Sequence, residues 1–189
     1  MNRQPLNRRT FRRVSAVVAT VVAVLCGLLV PAGPALALPP WQDHATSWTN
    51  PAARSPKVVD LRFATHRTFD RVVIDIVGRI PGGSAHYARR FHQDGSGAPV
   101  PIRGRSGIAL ALHRAVAHDA HGHNVYDGPR IARPHFDTLK ALAFTGDFEG
   151  TVSFGFALTH RAPYRILFLH HPQRLVIDFQ HARANQHTG

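Results

Sequence analysis

An antiparallel β-sandwich is the fold class that this sequence predicts, and three observations predict it. From Val58 onward apolar and polar residues alternate over short runs, the period of a strand with one buried and one solvated face. Clusters of turn formers punctuate those runs: IPGGS at 80–84, DGSGAP at 94–99 and GDFEG at 146–150. No segment keeps apolar residues at helical spacing. RPHFDTLKALAF (133–144) comes closest, and it is short and followed by a turn.

The first 37 residues read as a secretory signal peptide rather than as part of the fold. Five arginines and no acid precede an uncharged apolar run from Val14 to Val30, and Ala35-Leu36-Ala37 supplies the small residues of a cleavage site. Were the segment not cleaved, the run is near the lower length limit for a membrane span. That is the only route to the membrane that the sequence offers. Asn7-Arg8-Arg9-Thr10-Phe11 is similar to a twin-arginine signal, but Arg12 stands where an apolar residue is preferred, so the general secretory route fits better. Cys26 follows Leu25 rather than the small residue of a lipoprotein signal, which argues against lipidation. With cleavage after Ala37 the exported chain has no cysteine, which excludes disulfides and cysteine ligands or nucleophiles.

Eighteen of the 23 basic residues and all 11 acids lie after Ala37, a formal excess of seven positive charges. This balance suits anionic envelope polymers. Nucleic acid is excluded as a partner by export and by the absence of a basic run with interleaved aromatics. Residues 38–56, with Pro39, Pro40, Pro51 and Pro56, read as a proline-rich linker. Residues 57–181 read as the domain and 182–189 as a polar tail.

Within the domain, VDLRFA places Val59, Leu61 and Phe63 on one face against Asp60 and Arg62. RVVIDI places Val72, Ile74 and Ile76 inward and Arg71, Val73 and Asp75 outward. IALALH alternates Ile108, Leu110 and Leu112 with alanines, and TVSFGFALT gives Val152, Phe154, Phe156 and Leu158 one face. Two apolar runs, RILFL opened by Arg165 and RLVIDF, flank His171-Pro172-Gln173-Arg174. Pro172 suits the second position of a turn, so the pair reads as a hairpin. In its second strand Leu175, Ile177 and Phe179 face the core while Arg174, Val176 and Asp178 project from the other face. The pattern Arg-x-Val-x-Asp thus occurs twice, at 71–75 and 174–178.

Phe69 to Asp75, DGSGAPVP (94–101), AHDAHGHNVYDGP (117–129), GDFEG and the closing block from Tyr164-Arg165 to Asp178 occur in this order. Together they resemble the AMIN-like domain, a relative of the AMIN domain found in secreted and lipid-anchored proteins of high-GC Gram-positive bacteria. The resemblance covers about residues 57 to 181. It implies a two-sheet sandwich with the Arg-x-Val-x-Asp motifs on outward faces. AMIN domains target cell-wall amidases and secretin pores to the envelope and are associated with peptidoglycan. No amidase or pore domain accompanies the motifs here.

Candidate binding residues follow from both readings. Arg71, Asp75, Arg174 and Asp178, with Arg165, could hydrogen-bond the hydroxyls, amides and carboxylates of the wall, because arginine's fork suits a carboxylate. They could equally pair with each other across strands, where exposed pairs are worth about 0–1 kcal/mol. Tyr87 and Phe91, at the parity of Arg89, and Tyr126 are candidate stacking surfaces or partly buried core rings. All 14 histidines follow Ala37, and His113, His118, His121 and His123 cluster beside Asp119. Imidazole and carboxylate are zinc ligands, but the spacing fits no metal motif, and His121 and His123 look like additions to the family-like His118-Asp119. A solvated, acid-sensitive loop is the expectation, with no metal and no cofactor.

Catalysis is not expected. Asp147 and Glu149 are close enough in sequence to suggest paired carboxylates, but turn formers surround them. No nucleophile elbow or phosphate-binding glycine loop is present. The sequence therefore predicts an exported, non-catalytic envelope module that binds peptidoglycan or an associated anionic polymer. The alternative is a module docking on an envelope protein, for instance by strand addition at a sheet edge; a wall hydrolase is a more distant third.

Overall fold

The computed structural model of the chain describes residues 37–182, so the signal-peptide reading of 1–37 and nearly all of the polar tail lie outside the described residues. Ten strands are present: β1 (Thr46–Trp48), β2 (Lys57–Thr65), β3 (Phe69–Val77), β4 (Gly82–Tyr87), β5 (Ser106–His113), β6 (Ile131–Ala132), β7 (Leu139–Phe148), β8 (Thr151–Leu158), β9 (Tyr164–Leu169) and β10 (Arg174–Gln180). They form two antiparallel sheets, one of six strands in the order β1-β4-β5-β8-β7-β6 and one of four in the order β2-β3-β10-β9. No helix occurs among the described residues. The expected antiparallel sandwich is the fold observed.

The period-two faces fall largely where the sequence puts them. Val72 and Ile74 of β3, Ile108, Leu110 and Leu112 of β5, Val152, Phe154, Phe156 and Leu158 of β8, and Leu175, Ile177 and Phe179 of β10 are all buried in one core between the sheets. A bulge interrupts β2 between Val58 and Asp60, so Val58 and Leu61 are buried while Val59 is not. The extra residue reverses parity at that point, which corrects the inward placement of Val59.

The closing hairpin β9–β10 forms as expected, with a cis peptide before Pro172 and His171 at φ 61° instead of a standard trans-proline turn. The β7–β8 hairpin turns at Glu149 and Gly150, at φ 48° and 72°, in the positive-φ region that two-residue hairpin loops use.

Residues 38–56 are not a linker. Gln42 exchanges backbone hydrogen bonds with Tyr164, both at 2.9 Å, and β1 pairs with β4 from Thr46↔Ala85 to Trp48↔Gly83. Trp48 donates from Nε1 to the Pro81 carbonyl at 2.9 Å, Asn50 donates to the Ile80 carbonyl at 2.7 Å, and Ala53 is fully buried. The Trp48 ring lies over Gly83 so closely that a Cβ there would come within 2.5 Å of it. The prolines flank a docked edge strand instead of keeping the segment free. A second small core also forms outside the six-stranded sheet, where Phe91, Val100 and Ile102 cover Ala141, Ala143 and Ala157. Phe91 is therefore a packing residue and not an exposed ring.

Candidate functional site

The two Arg-x-Val-x-Asp motifs lie on adjacent antiparallel strands, so each arginine faces the aspartate of the other copy. The register pairs Arg71 with Asp178 and Asp75 with Arg174, and β9 adds Arg165 on the far side of Asp178. Arg71 donates to both Asp178 oxygens, from Nε at 2.7 Å and from Nη2 at 2.9 Å, and Arg165 Nε donates to Oδ2 at 2.8 Å. Asp178 is completely buried and Arg165 nearly so, whereas the Arg71 side chain is 28% exposed. Hydrogen bonding to the carboxylate raises the Arg71 pKa above its ordinary value, against desolvation.

Parity is as expected, but exposure is not. Trp41, from the segment read as a linker, places its ring 4.2 Å from the Arg165 guanidinium. Phe69 lies 5.0 Å from that of Arg71, and the two rings are 6.3 Å apart. This aromatic cover turns an outward row of charges into a largely buried cluster in which two guanidinium groups share one carboxylate, correcting the solvated-face reading of Arg165 and Asp178, while Arg71 stays partly exposed.

The second pairing is incomplete. Asp75 accepts two hydrogen bonds from the more exposed Arg62, at 2.8 and 2.9 Å, and Arg174 Nε is buried without a hydrogen-bond partner among the described residues. Neighbouring Asp70 is fully buried and ties the sheets together. Its Oδ2 accepts from the backbone N–H groups of Thr138 and Leu139, at 2.8 and 2.7 Å, and its Oδ1 faces His181 Nε2 at 2.9 Å. Burial pushes this carboxyl up. The hydrogen bonds from Leu139, His181, Thr65 and Thr138 outweigh it and hold the pKa below the ordinary carboxylate value.

The histidine loop separates into three environments. His113 lies 3.4 Å from Ser84 Oγ on the six-stranded sheet, and His118 faces Asp147, which also accepts from the Ala117 N–H. Asp147 thus braces the loop beside its turn, and Glu149 is the first of the two positive-φ residues of that turn. Among the described residues only Asp119, His121 and His123 converge.

A cationic cleft was not legible in the sequence. At the sandwich end formed by the end of β4 and the starts of β5, β7 and β9, a hollow of about 500 Å³ is lined by Tyr87, Arg89, Arg105, Ser106, His160 and Arg161. Arg105 also lines a neighbouring hollow of about 340 Å³ with His135, Phe136, Lys140 and Thr159. Neither lining contains a carboxylate, and among the described residues Arg89, Arg105, Lys140 and Arg161 form no ion pair. Arg161 sits 3.5 Å over the Tyr87 ring and donates to the Asp43 backbone carbonyl at 2.7 Å. Tyr87 donates to the Ala162 carbonyl at 2.7 Å, and burial raises its pKa. Of the residues singled out from the sequence, Tyr87 alone belongs to this cleft. Tyr126 is instead a core ring stacked on Phe144 at 4.7 Å.

The described residues thus form a sandwich with charges sequestered in one sheet and a basic cleft at one end. The model of the AMIN-like domain family matches residues 56–181, and the chain belongs to that family. Membership points to a cell-envelope-associated module and indicates no catalytic family. No curated protein and no solved structure matches the chain.

Proposed function

We propose that this chain is an exported, non-catalytic module that holds to the cell wall by binding an anionic polymer or the carboxylates of peptidoglycan. The observation that carries the reading is the paired hollow around Arg105. Arg89, Arg105, Arg161 and Lys140 converge there with no ion pair among the described residues and no acid in the lining. Unpaired cations of this density attract and retain phosphate or carboxylate groups. Tyr87 lines the cleft with its ring beneath the Arg161 guanidinium and its hydroxyl bonded to the Ala162 carbonyl. The Arg71, Asp178 and Arg165 cluster lies in the four-stranded sheet and lines neither hollow.

Docking on an envelope protein by strand addition has less support. β1 and β6, at the edges of the six-stranded sheet, have three and two residues, and β2 carries a bulge; each feature blunts an edge against a further strand.

Co-sedimentation of the Leu38–Gly189 form with purified sacculi, with and without their anionic polymers, tests the proposal. Wild-type protein should pellet at low salt and release progressively as ionic strength screens the contacts. The double charge reversal Arg89→Glu, Arg105→Glu should weaken binding at least about tenfold, because it removes two attractions and adds two repulsions. Its melting temperature should stay unchanged. Equal pelleting of both proteins would remove the cleft as the binding site, and loss of binding on stripped sacculi would assign the ligand to the polymer.

A further inference from the structure

The convergence of Asp119, His121 and His123 is the feature that the envelope-binding reading leaves unused. The loop is pinched at its base, where Asp119 N–H donates to the His123 carbonyl at 2.9 Å and Gly122 N–H donates back to the Asp119 carbonyl at 3.1 Å. Gly122 takes φ +83°, which lets His121 and His123 project on the same side of the turn. Their rings stack with centroids 5.9 Å apart.

The Asp119 carboxylate is divided between two tasks. Oδ1 accepts the backbone N–H groups of His121 and His123, at 2.8 and 2.9 Å, which locks the side chain in place. Oδ2 is left facing the imidazoles, 3.3 Å from His123 Nδ1 and 3.9 Å from His121 Nδ1.

We propose that this loop binds one divalent transition-metal ion, Zn²⁺ or Cu²⁺, through Asp119 Oδ2 and one imidazole nitrogen each of His121 and His123. One candidate ligand atom from each residue lies within 4.8 Å of the other two. Ligands about 2.0–2.2 Å from a tetrahedral ion stand roughly 3.3–3.6 Å apart, so modest ring rotations close the site. Two nitrogens and one oxygen select against Ca²⁺ and Mg²⁺, which require oxygen ligands. Each histidine coordinates in its neutral form, with Nδ1 free to bind when the proton resides on Nε2. The imidazoles are 81% and 79% exposed, so water or a ligand group completes the coordination sphere. His118 and His113 lie outside the set, because the first is held by Asp147 and the second lies beside Ser84.

Calorimetric titration of untagged, chelator-treated Leu38–Gly189 with ZnCl₂ and with CuCl₂ tests the site. One ion should bind per chain. His121→Ala, His123→Ala and Asp119→Asn should each lower affinity at least about tenfold, while His170→Ala leaves it unchanged. The Cu²⁺-loaded protein should show nitrogen hyperfine structure from two imidazoles, reduced to one in His121→Ala. That variant removes an exposed ring and should melt with the wild type, so a loss of affinity there is a loss of the site. Absence of a stoichiometric ion, or an ion retained equally by both histidine variants, would overturn the proposal.

Discussion

Replacing Asp178 by alanine is expected to cost about 3–5 kcal/mol of stability, the magnitude for removing one partner of a buried ion cluster. The substitution leaves Arg71 and Arg165 side by side under Trp41 and Phe69 with no carboxylate between them. For a chain of this length the melting temperature should fall by on the order of 10 °C, at about 2–4 °C per kcal/mol. Arg71→Ala should cost less, because its side chain is partly exposed and Arg165 still neutralises the carboxylate. Urea denaturation of the three proteins measures the order directly. A change below about 1 kcal/mol for Asp178→Ala, the value of a solvated pair, would mean that the aromatic cover does not exclude water.

The second large effect is expected at Asp70. Asp70→Ala leaves the buried N–H groups of Thr138 and Leu139 without an acceptor, at about 1–3 kcal/mol each, and releases His181. A pH signature accompanies it. The carboxyl is held below its ordinary pKa in the folded protein, so its contribution is complete above the unfolded-state value of about 3.9. It is lost as pH falls through the lower folded value. Wild-type stability should therefore decline with acid below about pH 4, and Asp70→Asn should flatten that part of the profile. Equal acid sensitivity in both proteins would assign the decline to other carboxylates.

The sandwich was legible because strand faces are written locally. Every second residue of IALALH and TVSFGFALT is apolar, and those residues form the core. What covers an outer face is not written locally. Asp178 looks solvent-facing by parity, and the cover over its arginine partners comes from Phe69 together with Trp41, more than a hundred residues away in sequence. The same distance problem hid β1, since Thr46-Ser47-Trp48 is too short to show periodicity, and Phe91, whose role depends on its loop folding back over Ala141 and Ala157.

The candidate sites show the same division. Pairing between the Arg-x-Val-x-Asp motifs was open to inference, because antiparallel copies of that pattern place opposite charges face to face. Arg89, Arg105, Lys140 and Arg161 come from separate connections and strands, so nothing in their local patterns announced a common cleft. His121 and His123 needed the backbone hydrogen bonds of Asp119 to become neighbours.

The position of β10 has a consequence for the order in which the chain acquires its structure. This last strand of the domain lies between β3 and β9, in the middle of its sheet, and it carries the carboxylate that Arg71 grips from 107 positions earlier. Such distant pairing places the protein among slow-folding topologies. Until residues 174–180 are available, β3 has no partner on one side and Arg71 and Arg165 have no anion. The four-stranded sheet therefore cannot be completed during synthesis until its final strand arrives, whereas every strand of the six-stranded sheet is made earlier.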